Sequence, residues 1–71
     1  MEKDISIDLH FVEDEVATTV KAVLNLRGDH FEAAGRARRN PTDRPMPVIG
    51  EELALARALQ TLTANVMDAA Q

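Results

Sequence analysis

The chain has 71 residues, of which 45% are hydrophobic and 28% are charged, which is the balance of a globular protein. Its formal net charge is −4 and it has no cysteine, so disulfide bridges, thiolate metal sites and cysteine nucleophiles are excluded. Two phenylalanines are the only aromatic residues, which argues against platforms that stack nucleic-acid bases. We predict one domain over residues 1–71, with a core so thin that oligomerisation would add needed stability.

The first half of the chain has the period-two alternation of apolar and polar residues that is typical of β-strands. We predict strands at residues 5–11, 16–26 and 30–38, joined by two-residue turns at Glu13-Asp14 and Gly28-Asp29. Both turns place the apolar residues of the strands on one shared face, which predicts an antiparallel meander. A shift of either turn by one residue is expected to split that face.

The same turns predict which residues lie opposite each other on neighbouring strands. The predicted pairs are Leu24 with Ala33, Val20 with Ala37, Arg27 with His30, His10 with Ala17 and Lys21 with Arg36. His10 and His30 then lie at opposite ends of the central strand, about 33 Å apart at about 3.3 Å per residue. We therefore expect that they share no metal ion within one subunit.

The second half of the chain is predicted to be a loop and a helix. Residues 40–47 contain three prolines and are predicted to form the loop. A helix from about residue 50 to 69 is predicted because acidic residues suit its first turn and strong helix formers follow. Its apolar stripe consists of Leu55, Leu59, Leu62, Val66, Ala69 and Ala70, and its polar side of Arg57, Thr61, Asn65 and Asp68. We expect the stripe to cover the apolar face of the sheet, which gives an α+β fold of order β-β-β-α.

No arrangement of residues typical of catalysis is present in the sequence. Ser6 is the only serine and lacks a nucleophile-elbow motif, and the glycines are too scattered to form a phosphate loop. Asp8 and His10 share a strand face, but a metal site needs three or four ligands. We expect no enzyme activity, no metal or cofactor and no small-molecule substrate. A small-molecule sensor at a dimer seam is the least favoured alternative.

A basic segment is the strongest candidate for a binding surface. Between residues 27 and 44, five arginines outnumber three acidic residues. The candidate residues for binding an anion or RNA are Lys21, Arg36, Arg38, Arg39 and Arg44. Lys21 is predicted to face Arg36, and such like-charge pairs are destabilising unless an anion neutralises them. The alternative is that Asp8 on the neighbouring strand, or a partner subunit, supplies the negative charge.

Several features predict a homodimer. The outward face of the sheet carries small, half-polar residues, and Leu53 lies on the polar side of the helix. The predicted sheet also has two open edges and a thin core. Strand exchange, edge pairing and helix packing all remain open as the geometry of the dimer.

Two segments resemble a known family. They are residues 35–43, GRARRNPTD, and residues 47–59, PVIGEELALARAL. The chain resembles the small actinobacterial dsRBD-like proteins of unknown function, which include a mycobacterial dormancy-induced member. The resemblance implies a β-β-β-α subunit that dimerises and is similar to ribosome hibernation-promoting factors, with no known enzyme activity.

The resemblance and the basic segment together suggest a function. We expect a non-enzymatic stress or dormancy protein that binds the ribosome or structured RNA as a homodimer. The alternative is a protein–protein interaction adaptor that binds no nucleic acid. Because no run of apolar residues approaches the length of a membrane span, we expect no membrane association and a cytoplasmic location.

Overall fold

The structure, a computed structural model, describes residues 1–38 and 47–71, with side chains in the second range from Ile49 onward. Three strands, β1 (Ile7–Glu13), β2 (Ala17–Leu26) and β3 (Asp29–Arg38), form an antiparallel sheet in the order β1-β2-β3. One helix, α1 (Pro47–Ala69), packs on one face of this sheet. The predicted α+β meander with a C-terminal helix is confirmed.

The boundaries of all four elements differ from the prediction, those of β2 and β3 only by one residue at the start. β1 begins two residues later than predicted and runs to Glu13, and α1 begins at Pro47 instead of about residue 50. Proline suits the first turn of a helix, where an N–H has no intrahelical partner to lose. The last of the three prolines therefore starts the helix and does not belong to the loop. The rest of the predicted loop lies outside the described residues.

The turn between β2 and β3 lies one residue earlier than predicted. Arg27 and Gly28 occupy its centre with φ angles of 50° and 85°. Positive φ at both central residues is the type I′ geometry that matches the twist of a hairpin. Leu26 therefore pairs with Asp29, and the predicted loop at Gly28-Asp29 is wrong because Gly28 takes the second central position instead of the first.

The turn between β1 and β2 lies two residues later than predicted. The Asp14 Oδ1 accepts hydrogen bonds from the N–H groups of Val16 and Ala17 over 2.7 and 2.8 Å. The Asp14 N–H donates to the Ala17 carbonyl over 3.0 Å. Glu13 consequently pairs with Thr18. The predicted turn at Glu13-Asp14 is wrong because these local bonds place the turn at Glu15-Val16 instead.

Both changes of register preserve the faces of the strands. The observed neighbours are Leu24 with Ile7 and Phe31, Ala22 with Leu9 and Ala33, and Val20 with Phe11 and Gly35. Moving a hairpin turn by one residue moves every partner by two, and side chains alternate with a period of two. The apolar face is therefore kept, and the expectation that a shifted turn would split it is wrong. The predicted pairs of Leu24 with Ala33 and of Val20 with Ala37 are wrong for the same two-residue reason.

The core lies between α1 and the β2–β3 part of the sheet. Its buried residues are mostly small: Val20, Ala22, Ala33, Ala37, Ala54, Ala58 and Leu62. Gly35 lies at the centre of the contact, because a Cβ at this position would overlap the Ala54 carbonyl oxygen and the Ala58 nitrogen. The backbone of the helix therefore packs directly against the backbone of β3.

The buried side of α1 is rotated from the predicted stripe. Of the predicted stripe, Leu62 is buried as predicted, together with Ala54 and Ala58, whereas Leu55, Leu59 and Val66 are half-buried and Ala69 and Ala70 are exposed. The reason is the bare backbone at Gly35, against which only the smallest helix residues fit. Leu55, Leu59 and Val66 lie beside this contact and are only half-buried.

Replacing Gly35 by alanine is expected to destabilise the fold by at least about 1–3 kcal/mol, the usual cost of overpacking, because the helix must move away from β3. Chemical denaturation followed by circular dichroism measures the change. Ala34→Val is the matched control, since Ala34 is exposed and faces the other side of the sheet. It should change stability by no more than about 0.5 kcal/mol. Equal stability of the Gly35→Ala variant and the wild type would contradict the close helix contact.

Candidate anion-binding surface and open sheet edge

Three of the five predicted binding residues share the sheet face that points away from α1. Strand alternation and pairing place Lys21, Arg36 and Arg38 on this outer face. Arg39 and Arg44 lie outside the described residues. Within the described residues, the candidate surface is therefore formed by residues of β2, β3 and α1.

Lys21 does not lie opposite Arg36. It faces Ala34 on β3 and His10 on β1, while Arg36 faces Thr19. The predicted like-charge pair is wrong because the β2–β3 turn shifts the register by two residues. The predicted neighbour of His10, Ala17, is wrong because the β1–β2 turn lies two residues later than predicted, which shifts the register by four residues. The clash that seemed to require an anion is thus absent from this face.

Lys21 has an acidic partner on the adjacent strand. The Lys21 Nζ lies 2.9 Å from the Glu32 Oε1. The hydrogen bond and the charge of Lys21 hold the pKa of Glu32 below its ordinary value, and His30, 3.6 Å from the same oxygen, acts in the same direction. Glu32, and not the predicted Asp8, therefore neutralises Lys21, which leaves the arginines as the stronger candidates for binding an anion.

Arg36 and Arg38 on the outer face, and Arg57 of α1 at the adjoining edge of β3, are together called the arginine surface. The Arg57 Nη1 donates a hydrogen bond to the Arg36 carbonyl over 2.7 Å, which places the helix guanidinium beside β3. Among the described residues, no acidic side chain forms a salt bridge with any of these three arginines. Guanidinium groups bind phosphate and carboxylate oxygens through paired hydrogen bonds, so this surface can accept an anion.

Side chains of α1 also cover the outer edge of β3. Besides Arg57, the Asn65 Nδ2 donates to the Glu32 carbonyl over 3.3 Å. Both carbonyls accept these bonds on the side of β3 that faces away from β2. Arg57 and Asn65 lie on the predicted polar side of the helix, and Arg57 is exposed. The close packing at Gly35 brings this side of α1 to the edge of the sheet, where both side chains bond to β3.

β1 has no such cover. All of its residues are exposed, and α1 packs on β3 and β2. Ile7, Leu9 and Phe11, the β1 strip, share the helix-facing side of the sheet, yet they are 43%, 42% and 40% exposed. The expectation that the helix covers the apolar face of the sheet holds only for the β2–β3 part.

The two histidines are nearer to each other than predicted. His10 lies opposite Lys21 and His30 opposite Asn25, so they are offset along β2 by four residues, or about 13 Å. The predicted pairing of His30 with Arg27 is wrong because Arg27 is in the turn. The offset still prevents both rings of one chain from ligating one ion. No group of three or more candidate ligands occurs in the described part of the chain.

The ends of β1 and α1 bring together two carboxyl groups that the sequence did not single out. A hydrogen bond with Glu13, together with the charge of Glu13, raises the pKa of Glu51 above its ordinary value. Such a pair is favourable when it shares a proton and repulsive when both groups are ionised. The pair therefore opposes folding at neutral pH.

The chain is similar in sequence and structure to uncharacterized proteins of mycobacteria. A family model described as Rv2632c-like matches residues 3–71. The chain is 49% identical over 59 residues to the uncharacterized protein MT1780 of Mycobacterium tuberculosis, covering 83% of this chain and 58% of the relative. It is 42% identical over 60 residues to the uncharacterized protein Rv2632c of the same species, covering 84% of this chain and 64% of the relative.

A solved structure has the same fold. The crystal structure of Rv2632c superposes with a TM-score of 0.91 at 36% sequence identity, over 99% of this chain and 83% of that one. The chain spans about 58% to 64% of the length of the curated relatives named above. In the described part of this chain, α1 is too polar to cross a membrane, and no helix meets both the length and the hydropathy required.

Replacing Glu51 by glutamine is expected to raise the thermal midpoint at pH 7, because it removes the repulsion from Glu13. A carboxyl group whose pKa is raised on folding stabilises the fold below its ordinary pKa, here 4.5, and loses that contribution as the pH rises through the raised value. The advantage of the variant should therefore vanish below about pH 4.5 and shrink with added salt. Glu52→Gln is the control with the same change of charge. Equal effects of both variants at pH 7 would contradict the pairing.

Proposed function

The chain belongs to the Rv2632c-like family, and we propose that it is a non-enzymatic cytoplasmic protein that binds structured RNA, above all the ribosome, as a homodimer. The observation that carries the proposal is the arginine surface, whose three guanidinium groups form no salt bridge with the described acidic residues. The resemblance to hibernation-promoting factors supports the ribosome as the target and a role in stress or dormancy.

The proposed binding depends on local charge. The whole chain is acidic, with a net charge of −4, so RNA would be repelled from most of its surface and attracted at the arginine surface alone. RNA affinity rises with the number of phosphate contacts. A dimer presents two copies of Arg36, Arg38 and Arg57, and the predicted residues Arg39 and Arg44 would add to them.

The positions of the aromatic residues also favour binding through phosphates. Phe11 and Phe31 lie on the helix-facing side of the sheet, opposite to the face that carries Arg36 and Arg38. Bases therefore have no ring to stack on beside Arg36 and Arg38. Double-stranded RNA is recognised mostly by its shape and its backbone, which is the class of target that such a surface fits.

The second candidate function is a protein–protein interaction adaptor without nucleic-acid binding. The β1 strip favours it, because three large apolar side chains, each at least 40% exposed, are better covered by a protein than by RNA. In that case the arginines would contact acidic side chains of the partner.

Co-sedimentation with purified ribosomes over a salt series tests the proposal. The wild-type protein should pellet with ribosomes at low salt, and its affinity should fall steeply as salt rises, because bound cations are released from the RNA. Absence of co-sedimentation at low salt would contradict RNA binding and favour the adaptor.

The double variant Arg36→Gln with Arg38→Gln is expected to weaken ribosome binding and to lower the slope of log affinity against log salt by about 2, or about 1 for each lost phosphate contact. The control is Lys3→Gln with Arg27→Gln, which changes the net charge equally at exposed residues away from the arginine surface. It should bind almost as the wild type does. Equal losses in both variants would show that net charge, and not the arginine surface, controls binding.

A further inference from the structure

The two edges of the sheet differ in their ability to pair with another strand. At β3, the carbonyls of Arg36 and Glu32 accept hydrogen bonds from Arg57 and Asn65. At β1, every residue is exposed, and α1 packs mainly on β3 and β2 and meets β1 at the Glu13–Glu51 pair. A strand with unpaired backbone N–H and C=O groups is a template for a further strand. β1 is therefore the edge that is open to strand addition.

The alternation of backbone groups shows which residues of β1 present theirs at this edge. Because the Arg36 carbonyl points away from β2, the neighbouring Gly35 directs its backbone groups towards β2, where its partner is Val20. Val20 thus bonds to β3, so its partner on β1, Phe11, directs its N–H and C=O to the open edge. Every second residue of β1 does the same. These residues are Ile7, Leu9, Phe11 and Glu13.

β1 is complementary to itself in one antiparallel register. When Leu9 faces the second copy's Leu9, the edge groups of Ile7 meet those of Phe11, and Asp8 lies opposite His10. Apolar side chains then pair on one face of the sheet, and a carboxylate pairs with an imidazole on the other. The two neighbouring registers with the same edge groups place Asp8 against Asp8 or His10 against His10. Charge complementarity therefore selects the register centred on Leu9.

We propose that the chain self-associates through β1, which pairs antiparallel with the β1 of a second copy, with Leu9 at the two-fold axis. The two sheets of three strands become one continuous sheet, both helices lie on the same face, and the two β1 strips join between them. This inference rests on the homodimer of the proposed function but not on RNA binding. The two β3 strands lie on the outside, about 24 Å apart at about 4.8 Å per strand, so the Arg36 and Arg38 side chains of both copies lie on one face of the joined sheet.

Sedimentation velocity of the full chain without RNA tests the pairing, with Leu9→Pro as the test variant. The Leu9 N–H points to the open edge, so proline removes a bond between copies and leaves the β1–β2 ladder intact. The wild type should have twice the mass of one 7.8 kDa chain, and the Leu9→Pro variant should have the mass of one. Ala34→Pro is the matched control at the covered β3 edge and should remain dimeric. Circular dichroism establishes that each variant is folded.

Disulfide trapping tests the register and does not depend on a destabilising change. The chain has no cysteine of its own, and opposed Cα atoms in a bonded antiparallel pair are about 5.5 Å apart, within the range of a disulfide. Leu9→Cys should form a covalent dimer on mild oxidation. Ile7→Cys should do so far more slowly, because Ile7 faces the second copy's Phe11.

Several outcomes would overturn the inference: a monomeric wild type, a folded Leu9→Pro variant that remains dimeric, or equally fast trapping of the Ile7→Cys and Leu9→Cys variants. A dimer formed through another surface would survive the Leu9→Pro change. A β1 strand that pairs only with a strand of a different protein would leave the purified wild type monomeric. A wild type that dimerises as described but does not sediment with ribosomes would refute RNA binding alone. The two proposals therefore fail separately.

Discussion

The close contact between α1 and β3 at Gly35 determines how the rest of the molecule is arranged. The helix backbone reaches the strand backbone because Gly35 has no side chain and the facing helix residues, Ala54 and Ala58, are small. The helix consequently packs over β3 and β2 and leaves β1 largely uncovered. One edge of the sheet is then covered by helix side chains, and the opposite strand, β1, keeps its apolar side chains exposed.

The order of the elements could be predicted from the sequence, but the register could not. Strand alternation and the apolar face depend only on the period of two, which survives any shift of a hairpin turn by a whole residue. The partner of each residue depends on the backbone of the turns: on Arg27, which adopts a positive φ, and on Asp14, whose side chain bonds to its own loop. The buried side of α1 was misjudged because Leu55 and Leu59 dominate the apolar pattern, whereas packing at Gly35 favours alanine.

The candidate site was predictable to the same extent. Alternation alone places Arg36 and Arg38 on the outer face, but the partner of Lys21 depends on the register and is Glu32. Arg57 was missed because a polar helix residue looks solvated from the sequence. The spacing of Arg57 and Asn65 along the helix is the sequence feature that points to their contact with β3. Arg57 and Asn65 are about 12 Å apart along the helix, and the carbonyls they bind are about 13 Å apart along β3.

The sequence of β1 lacks the residues that usually prevent an edge strand from pairing with another strand. Proteins commonly protect an exposed edge strand with lysine, proline or a bulge, and β1 contains neither lysine nor proline between Ile7 and Glu13. Instead it alternates large apolar residues with Asp8 and His10, a pattern that would favour uncontrolled pairing if the strand stayed free. The small alanine-rich core buries little apolar surface, so a chain of this length gains stability from any further sheet contact. Pairing of β1 with a second copy satisfies the backbone of the edge, matches its charges and extends the apolar contact at the same time.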